Sequence, residues 1–508
     1  MINKSWKSIV WATTTIIAVG SLSACSGGAQ GTGSDASGQQ QTKPGETPTV
    51  TILMSKGTNF PETNPVIDQI RKKTGANVQV IAVDLGDYEN KLNAMIASGS
   101  PPDIFNSYSK PKIKDLVDNK AILQLDPLLE KSGKNISENK GKYLKGIGYI
   151  DGKTYAIPNA YGLGNGLAIR QDWLDKLGLK VPTTLDEYEN VLKAFVTKDP
   201  DGNGKNDTIG LGLSVSIDQT FEHVFAAYGV PLKRGVLVDG KVTPWPLAPG
   251  YLDAVKYYNK LYKEGVLEPD FATVPAMQEY EKLWNGKMGA FQFNPPGTTQ
   301  NWMTRYIENP KPKFVYTTLK GPNGQGGNVR FVREDKGPWT HISSKSKNPE
   351  AAIKVLDFLI SEEGDRLTWA GIEGTTYTMK DGKFEWIKPY DDAVQLRNQG
   401  GFAYSAIIQR LDGMEFQLMN DTTRKGIELS YNSPIPDAYL FGVPDIERDK
   451  KKVLDDMELE FRTSAIVSKG DLDKLYTDFK KKYLAEGGST WIEQATVIYN
   501  KEKAELKK

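Results

Sequence analysis

The chain has 508 residues, with 64 Lys and Arg against 63 Asp and Glu, two histidines and a single cysteine. So even a balance leaves no electrostatic footprint for nucleic acid or an anionic membrane surface, and one cysteine excludes an internal disulfide framework. His223 and His341 lie far apart with no metal-ligand spacing around either, which argues against zinc hydrolase chemistry and for ordinary packing histidines.

The first segment, "MINKSWKSIVWATTTIIAVGSLSAC", has two lysines, an apolar run and then small residues up to Cys25. That is the layout of a secretory signal peptide over residues 1–24. Leu22, Ser23, Ala24 and Cys25 resemble the lipobox of bacterial lipoproteins. The resemblance implies cleavage before Cys25, lipidation of its sulfur, and residence on the extracellular face of the cell membrane, where two acyl chains give stable attachment. Residues 25–48 are almost free of large apolar side chains and read as a flexible linker. The remaining length, about 460 residues, is too long for one core and predicts at least two lobes.

Folded structure is expected from Thr49. "TVTILMSK" reads as a buried strand, and "NPVIDQIRKKTG" as a helix carrying Val66, Ile67 and Ile70 on one face and stopped by Gly75. "ANVQVIAVD" predicts a second strand. "YENKLNAMIASGSPPDIFNS" predicts a helix with Leu92, Met95 and Ile96, leading into a third strand at Asp103–Phe105. This alternation is the grammar of an α/β lobe with a parallel sheet, whose ligands sit beyond the carboxyl ends of the strands. That rule puts Lys56 and the segment Asn106–Tyr108 at the mouth of a site. Three Asp-Gly hairpin signals follow, in "YIDGKTYAIP", "VLVDGKVTPWP" and "TMKDGKFEWI". "TTLDEYENVLKAFVTK" predicts an amphipathic helix capped by Thr184 with Glu187 three residues on, "SKNPEAAIKVLDFLISEEGDRLTWAG" two more helices, and the last 60 or so residues further helix.

Three stretches carry a family pattern: "KLNAMIASGSPPDIF", "DGKTYAIPNAYGLGNGLAIRQDWLDKLGLKVPTTLDEY" and "HISSKSKNPEAAIKVLDFLISEEG". In this order they resemble the extracellular solute-binding proteins of carbohydrate ABC transporters. The size and the loop at Asp199 resemble the long subgroup that includes alginate-binding proteins and many Gram-positive lipoproteins. The resemblance implies an α/β, two-lobe periplasmic-binding-protein-like fold of type II, each lobe a mainly parallel sheet flanked by helices. It implies an N-lobe over 49–158, a C-lobe over 159–336, a return to the N-lobe over 337–380, and a mostly helical region over 381–508 packing mainly on the C-lobe. Function and partners follow as implications: a monomer that captures an oligosaccharide between closing lobes, delivers it to ABC permease subunits, and catalyses nothing.

In "DPDGNGKND", Asp199, Asp201, Asn203 and Asp207 hold positions 1, 3, 5 and 9 of an EF-hand-like loop. Lys205 offers its carbonyl at 7, and Gly204 takes the sharp turn at 6. Alternating oxygens of this kind wrap a structural calcium ion. The bidentate Glu of position 12 is replaced by Gly210, and position 10, where the family often has an acid, is Thr208. A solvated turn without metal is the other reading of the loop.

A sugar site needs aromatic faces for stacking and amides, carboxylates or arginine for hydroxyls. The candidates in loops expected at the cleft are Asn106, Tyr108, Asn159, Tyr161, Phe293, Asn294, Trp302, Arg333, Trp339, Glu373 and Tyr377. Trp173 and Trp284 fall in helical patterns and read as core. Lys56 and Arg333 would read carboxylates if the sugar is acidic. Two other functions fit this composition, an oligopeptide receptor of the same architecture and a secreted glycosidase with paired carboxylates.

Overall fold

The computed structural model describes residues 46–505, apart from 57–60, 62, 160–163, 302, 304, 330–337, 382 and 412. Nine strands build its two main sheets: β1 (Thr49–Lys56), β2 (Asn77–Asp84), β3 (Ile104–Ser107), β4 (Ile157–Pro158), β5 (Gly166–Arg170), β6 (Ile209–Gly212), β7 (Met288–Phe293), β8 (Phe314–Thr317) and β9 (Trp339–Ile342). The first sheet has the order β2-β1-β3-β9-β4 and the second β8-β5-β7-β6.

β1 runs parallel to β2 and β3, as the strand–helix alternation predicts. β9 and β4 then join antiparallel to their neighbours. The second sheet departs from a mainly parallel expectation: β5 pairs antiparallel with both β7 and β8, and only β7–β6 is parallel. β5 is the first strand to arrive from the other lobe. It enters against the direction of the strands laid down later by local crossovers.

Both sheets bury two faces, and the period-2 pattern divides the side chains between them. In β5, Leu167 and Ile169 join a large core with Trp173, Phe195 and Tyr258, whereas Ala168 faces Trp284, Phe291 and Tyr306. In β1, Val50, Ile52 and Met54 face the helix Pro349–Ile360, and Leu53 turns to Tyr88 and Phe105. Helix ends follow their sequence signals. Gly75 closes Pro65–Thr74 in the left-handed region at φ 67°, and Thr184 caps Leu185–Thr197 by accepting the Glu187 N–H. The Glu187 carboxylate reaches back one residue further than a standard capping box, to Thr183. All three Asp-Gly hairpins form, Asp151, Asp239 and Asp381 each taking φ near +50°.

The chain passes between the two cores three times: after β4, between β8 and β9, and after Ile408. Before the third passage, residues 403–408 still belong to the first core. Leu396, Ala403, Tyr404, Ile407 and Ile408 are buried, the last four within the first core, because their apolar run fills the face opposite Ile104 and Ile342. Only from Asp421–Asn432 does the chain lie beside β8, and helices Glu447–Val467 and Leu472–Tyr483 then complete the second core. Helix Ser489–Glu505 packs Ala495 on the Val236–Thr243 hairpin. Among the described residues, no helix is long and apolar enough to cross a membrane.

Candidate functional site

The carboxyl end of β3, expected at the mouth of a site, is occupied by the chain itself. Asn106 on β3, Thr340 on β9 and Asn159 just beyond β4 point to one face, where the backbone of Ala406–Gln409 lies. Asn106 Nδ2 donates to the Ala406 carbonyl at 2.8 Å, and Thr340 Oγ1 to the Ile407 carbonyl at 3.1 Å. Asn159 Nδ2 donates to the Ile407 carbonyl at 3.2 Å, while its Oδ1 accepts the Gln409 N–H at 2.7 Å. An amide satisfying a donor and an acceptor of one strap acts like a backbone partner. Asn159, expected to hold a sugar hydroxyl, is therefore spent on this anchor; Asn106 gives it only its Nδ2, and its Oδ1 has no partner among the described residues, with 3% and 1% of their surfaces exposed.

The opposite face of the same strand ends is also packed. Ser107 shares a hydrogen bond with His341 Nε2 at 2.8 Å, and His341 Nδ1 meets the Tyr155 carbonyl at 3.0 Å. Burial pushes the His341 imidazole down to about 4 and that of His223, beside Tyr188, down to about 3. Both are neutral core histidines. Trp339, expected to stack on a sugar, is 4% exposed and packs against Ile113, Ile147 and Ala156. Its place at the strand end, level with Ser107 and Pro158, turns the ring into the sheet's covering layer. Tyr108 is half-buried, edge-on to Tyr88 with its hydroxyl on Ser55 Oγ, and burial raises its phenol.

On the second lobe, Phe293 is half-buried among Tyr280 and Phe291. Asn294 Oδ1 accepts the Gly297 N–H at 2.7 Å, so this amide caps the turn into 297–301 instead of facing a ligand. Tyr377 is buried and stacked on Phe384 at 4.9 Å in a small cluster with Trp369 and Met414, a core role, whereas Glu373 is exposed. Trp173 and Trp284 are both buried in cores. Tyr161, Trp302, Arg333 and Cys25 lie outside the described residues.

Sequence reading missed the ties that hold the passages on the second lobe. Glu222 accepts from Asn165 Nδ2 at 2.7 Å with one oxygen and from the Val329 N–H at 3.0 Å with the other. It thereby links the first passage to the second. Gly164, at φ +57°, lies so close to helix Asp421–Asn432 that an added Cβ would stand 2.1 Å from Ser430 Oγ. Gly164 was visible as part of "GLGNG", but nothing local in the sequence pairs Glu222 with Asn165.

The acidic loop is closed on itself. Asp199 accepts N–H groups of Gly202, Asn203 and Gly204, the last of which holds its carboxyl below the usual range. Asn203 Nδ2 bridges Asp201 and Asp207, and Lys287 Nζ sits 2.6 Å from Asp207 Oδ2 and 3.7 Å from Asp201 Oδ2. Burial raises Asp201, and the Lys287 hydrogen bond lowers Asp207. Asp201 and Asp207 thus converge on a cationic nitrogen, and Gly204 takes φ +75° as a wrapping loop requires. The donor set of oxygens fits a hard cation in part. Thr208 does not contribute, since its hydroxyl turns inward to the Phe195 carbonyl. Among the described residues, no three His, Cys, Asp or Glu side chains are grouped around one point to hold a metal.

Glu279 is a buried acid of a different kind. It lies in helix Ala276–Trp284, neither carboxylate oxygen has a hydrogen-bond partner among the described residues, and burial with neighbouring Glu268 pushes it up to about 8. Both carboxyls are almost wholly buried, a packing that offers a glycosidic bond no approach.

The family model described as bacterial extracellular solute-binding protein matches residues 57–366. The lipoprotein LipO of Bacillus subtilis (strain 168) is 28% identical over 461 residues, which cover 87% of this chain and 89% of LipO. The polygalacturonan/rhamnogalacturonan-binding protein YtcQ of the same organism is 25% identical over 484 residues, again 87% of this chain and 89% of the relative. Among solved structures, an EF-hand mutant of the Streptococcus pneumoniae ABC-transporter substrate-binding protein FusA, in complex with fructo-nystose, superposes with a TM-score of 0.69. It is 21% identical, and the match covers 90% of this chain and 100% of that one.

Proposed function

The chain belongs to the bacterial extracellular solute-binding proteins, and from that premise we propose that it captures an oligosaccharide between its two lobes and delivers it to the permease subunits of an ABC importer. The observation that carries this reading is the pair of separate cores joined by three passages tied together at both ends. Such a construction lets two lobes close on a ligand while the connections keep register. A sugar suits the relatives better than a peptide: YtcQ is named for binding polygalacturonan and rhamnogalacturonan, and the FusA structure contains fructo-nystose. Binding without turnover is the family's role, and the protein is read as a monomer held to the outer face of the membrane through Cys25.

Tyr108, Tyr161, Phe293, Trp302, Arg333 and Glu373 remain the proposed sugar contacts. Asn106, Asn159, Asn294, Trp339 and Tyr377 are withdrawn, because each already serves the fold. Asp199, Asp201, Asn203 and Asp207, with the Lys205 carbonyl, are proposed to take a structural calcium ion. The spacing supports this, and so does the EF-hand named in the FusA structure.

A glycan-array screen followed by calorimetry tests the ligand class. Trp302→Ala should then weaken the best glycan ten-fold or more, since a stacked ring contributes roughly 0.5–1.5 kcal/mol beyond its buried area. Its melting curve without ligand should be unchanged. Retention of peptides from a mixed pool, with no glycan retained, would defeat the sugar reading.

A further inference from the structure

The acidic loop carries a cation of its own. Lys287 immediately precedes β7, and its carbonyl accepts the Ile209 N–H at 2.7 Å, so the sheet fixes its backbone beside the loop's exit. From there its ammonium reaches Asp207 at 2.6 Å and stands 3.7 Å from Asp201, while Asn203 Nδ2 spans the same two carboxylates at 2.7 and 3.0 Å. These are positions 3, 5 and 9 of the loop, whose oxygens a divalent ion would need, and Asn203 turns its Oδ1 instead to the Lys205 N–H at 2.7 Å. Two losses weaken the ion's side of that contest. Gly210 stands where a bidentate Glu belongs, and Thr208 is turned to the Phe195 carbonyl. A covalently tethered competitor also acts at high effective concentration, whatever the calcium level outside the cell.

We propose that Lys287 is a built-in counter-ion that holds this loop closed without metal, and that calcium enters only by displacing its ammonium. The second half rests on the calcium reading above; the first does not. Paired acids on a short loop repel one another, and either a divalent ion or a fixed ammonium relieves that repulsion. The loop would then be metal-optional, and the second lobe stays ordered where calcium is scarce.

The test uses the purified full chain and its Lys287→Gln and Lys287→Arg variants, with calcium chloride as the probe. In excess chelator, Lys287→Gln should melt about 2 °C or more below the wild type, the order expected for one partly buried ion pair in a chain of this size. Lys287→Arg, which keeps the charge, should melt close to the wild type. By calorimetry, Lys287→Gln should bind calcium at least ten-fold more tightly than the wild type, and calcium should restore its melting temperature. If Lys287→Gln melts as the wild type does in chelator, the counter-ion role is overturned, whatever calcium does. Equal calcium affinity in the two proteins overturns the competition. If neither binds calcium yet Lys287→Gln melts early, the counter-ion stands and the calcium reading falls.

Discussion

Replacing Asn159 separates an anchoring amide from a ligand-binding one. Asn159→Ala removes the donor to the Ile407 carbonyl and the acceptor of the Gln409 N–H, at a residue 3% exposed. Each such bond is worth about 1 kcal/mol net, and a buried backbone group left unpaired costs about 1–3 kcal/mol. The Ile407 carbonyl keeps its Thr340 donor, so the Gln409 N–H is the group left unpaired, and the loss is roughly 2–4 kcal/mol. Thr340→Val deletes a single donor to the same strap with little change of shape and should cost about 1 kcal/mol. Urea unfolding without ligand, followed by tryptophan fluorescence, reads both losses as earlier midpoints. A mixed profile is expected, in which the first lobe loosens before the second, because the strap belongs to the first core. If Asn159→Ala unfolds at the wild-type midpoint but no longer binds glycan, the amide faces the ligand and the anchoring argument is wrong.

Three other outcomes follow from the site. Glu279, raised to about 8 when folded, ionises near 4.3 once unfolded, so the native state holds the extra proton between those values and stability falls as pH rises across that window. Glu279→Gln should therefore gain on the wild type by a few kcal/mol from pH 4.5 to 8 and no further above it; a constant difference across urea midpoints at pH 5, 7 and 8.5 would contradict the assignment. Calcium should raise the melting temperature of the wild type and leave Asp201→Ala unmoved, a gain of ~2.7 kcal/mol at a hundred times the dissociation constant. Oligosaccharides that bind should be recovered intact, and new reducing ends that scale with protein concentration would mean an enzyme.

The elements were legible wherever local chemistry decides them. The 3.6 period at Val66, Ile67 and Ile70, the Gly75 stop, the Thr184 cap and the Asp-Gly turns all act within a few residues, and each is found where its signal stands. The parallel start of the first sheet was readable for the same reason. What local reading could not reach was the use of polar side chains across long separations. Asn106 and Asn159 meet a strap some 300 and 250 residues further along, so their loop-like surroundings suggested solvent and ligand. Trp339 misled in the opposite way. It lacks an apolar period because a four-residue strand is too short to display one, although Ile113, Ile147 and Ala156 bury the ring. In the acidic loop, spacing gave the oxygens but not Lys287, which arrives from 80 residues downstream of Asp207.

The strap at Ala406–Gln409 is gripped almost wholly through its carbonyls and one N–H, and Glu222 likewise holds the N–H of Val329. Main-chain groups are the same whatever side chain follows them. Side chains there that lie outside the core are therefore free to change, whereas Ile407 and Ile408, buried in the first core, are held by packing as well. On the proposed function, a change of sugar and the upkeep of this join would then act on different atoms of one scaffold.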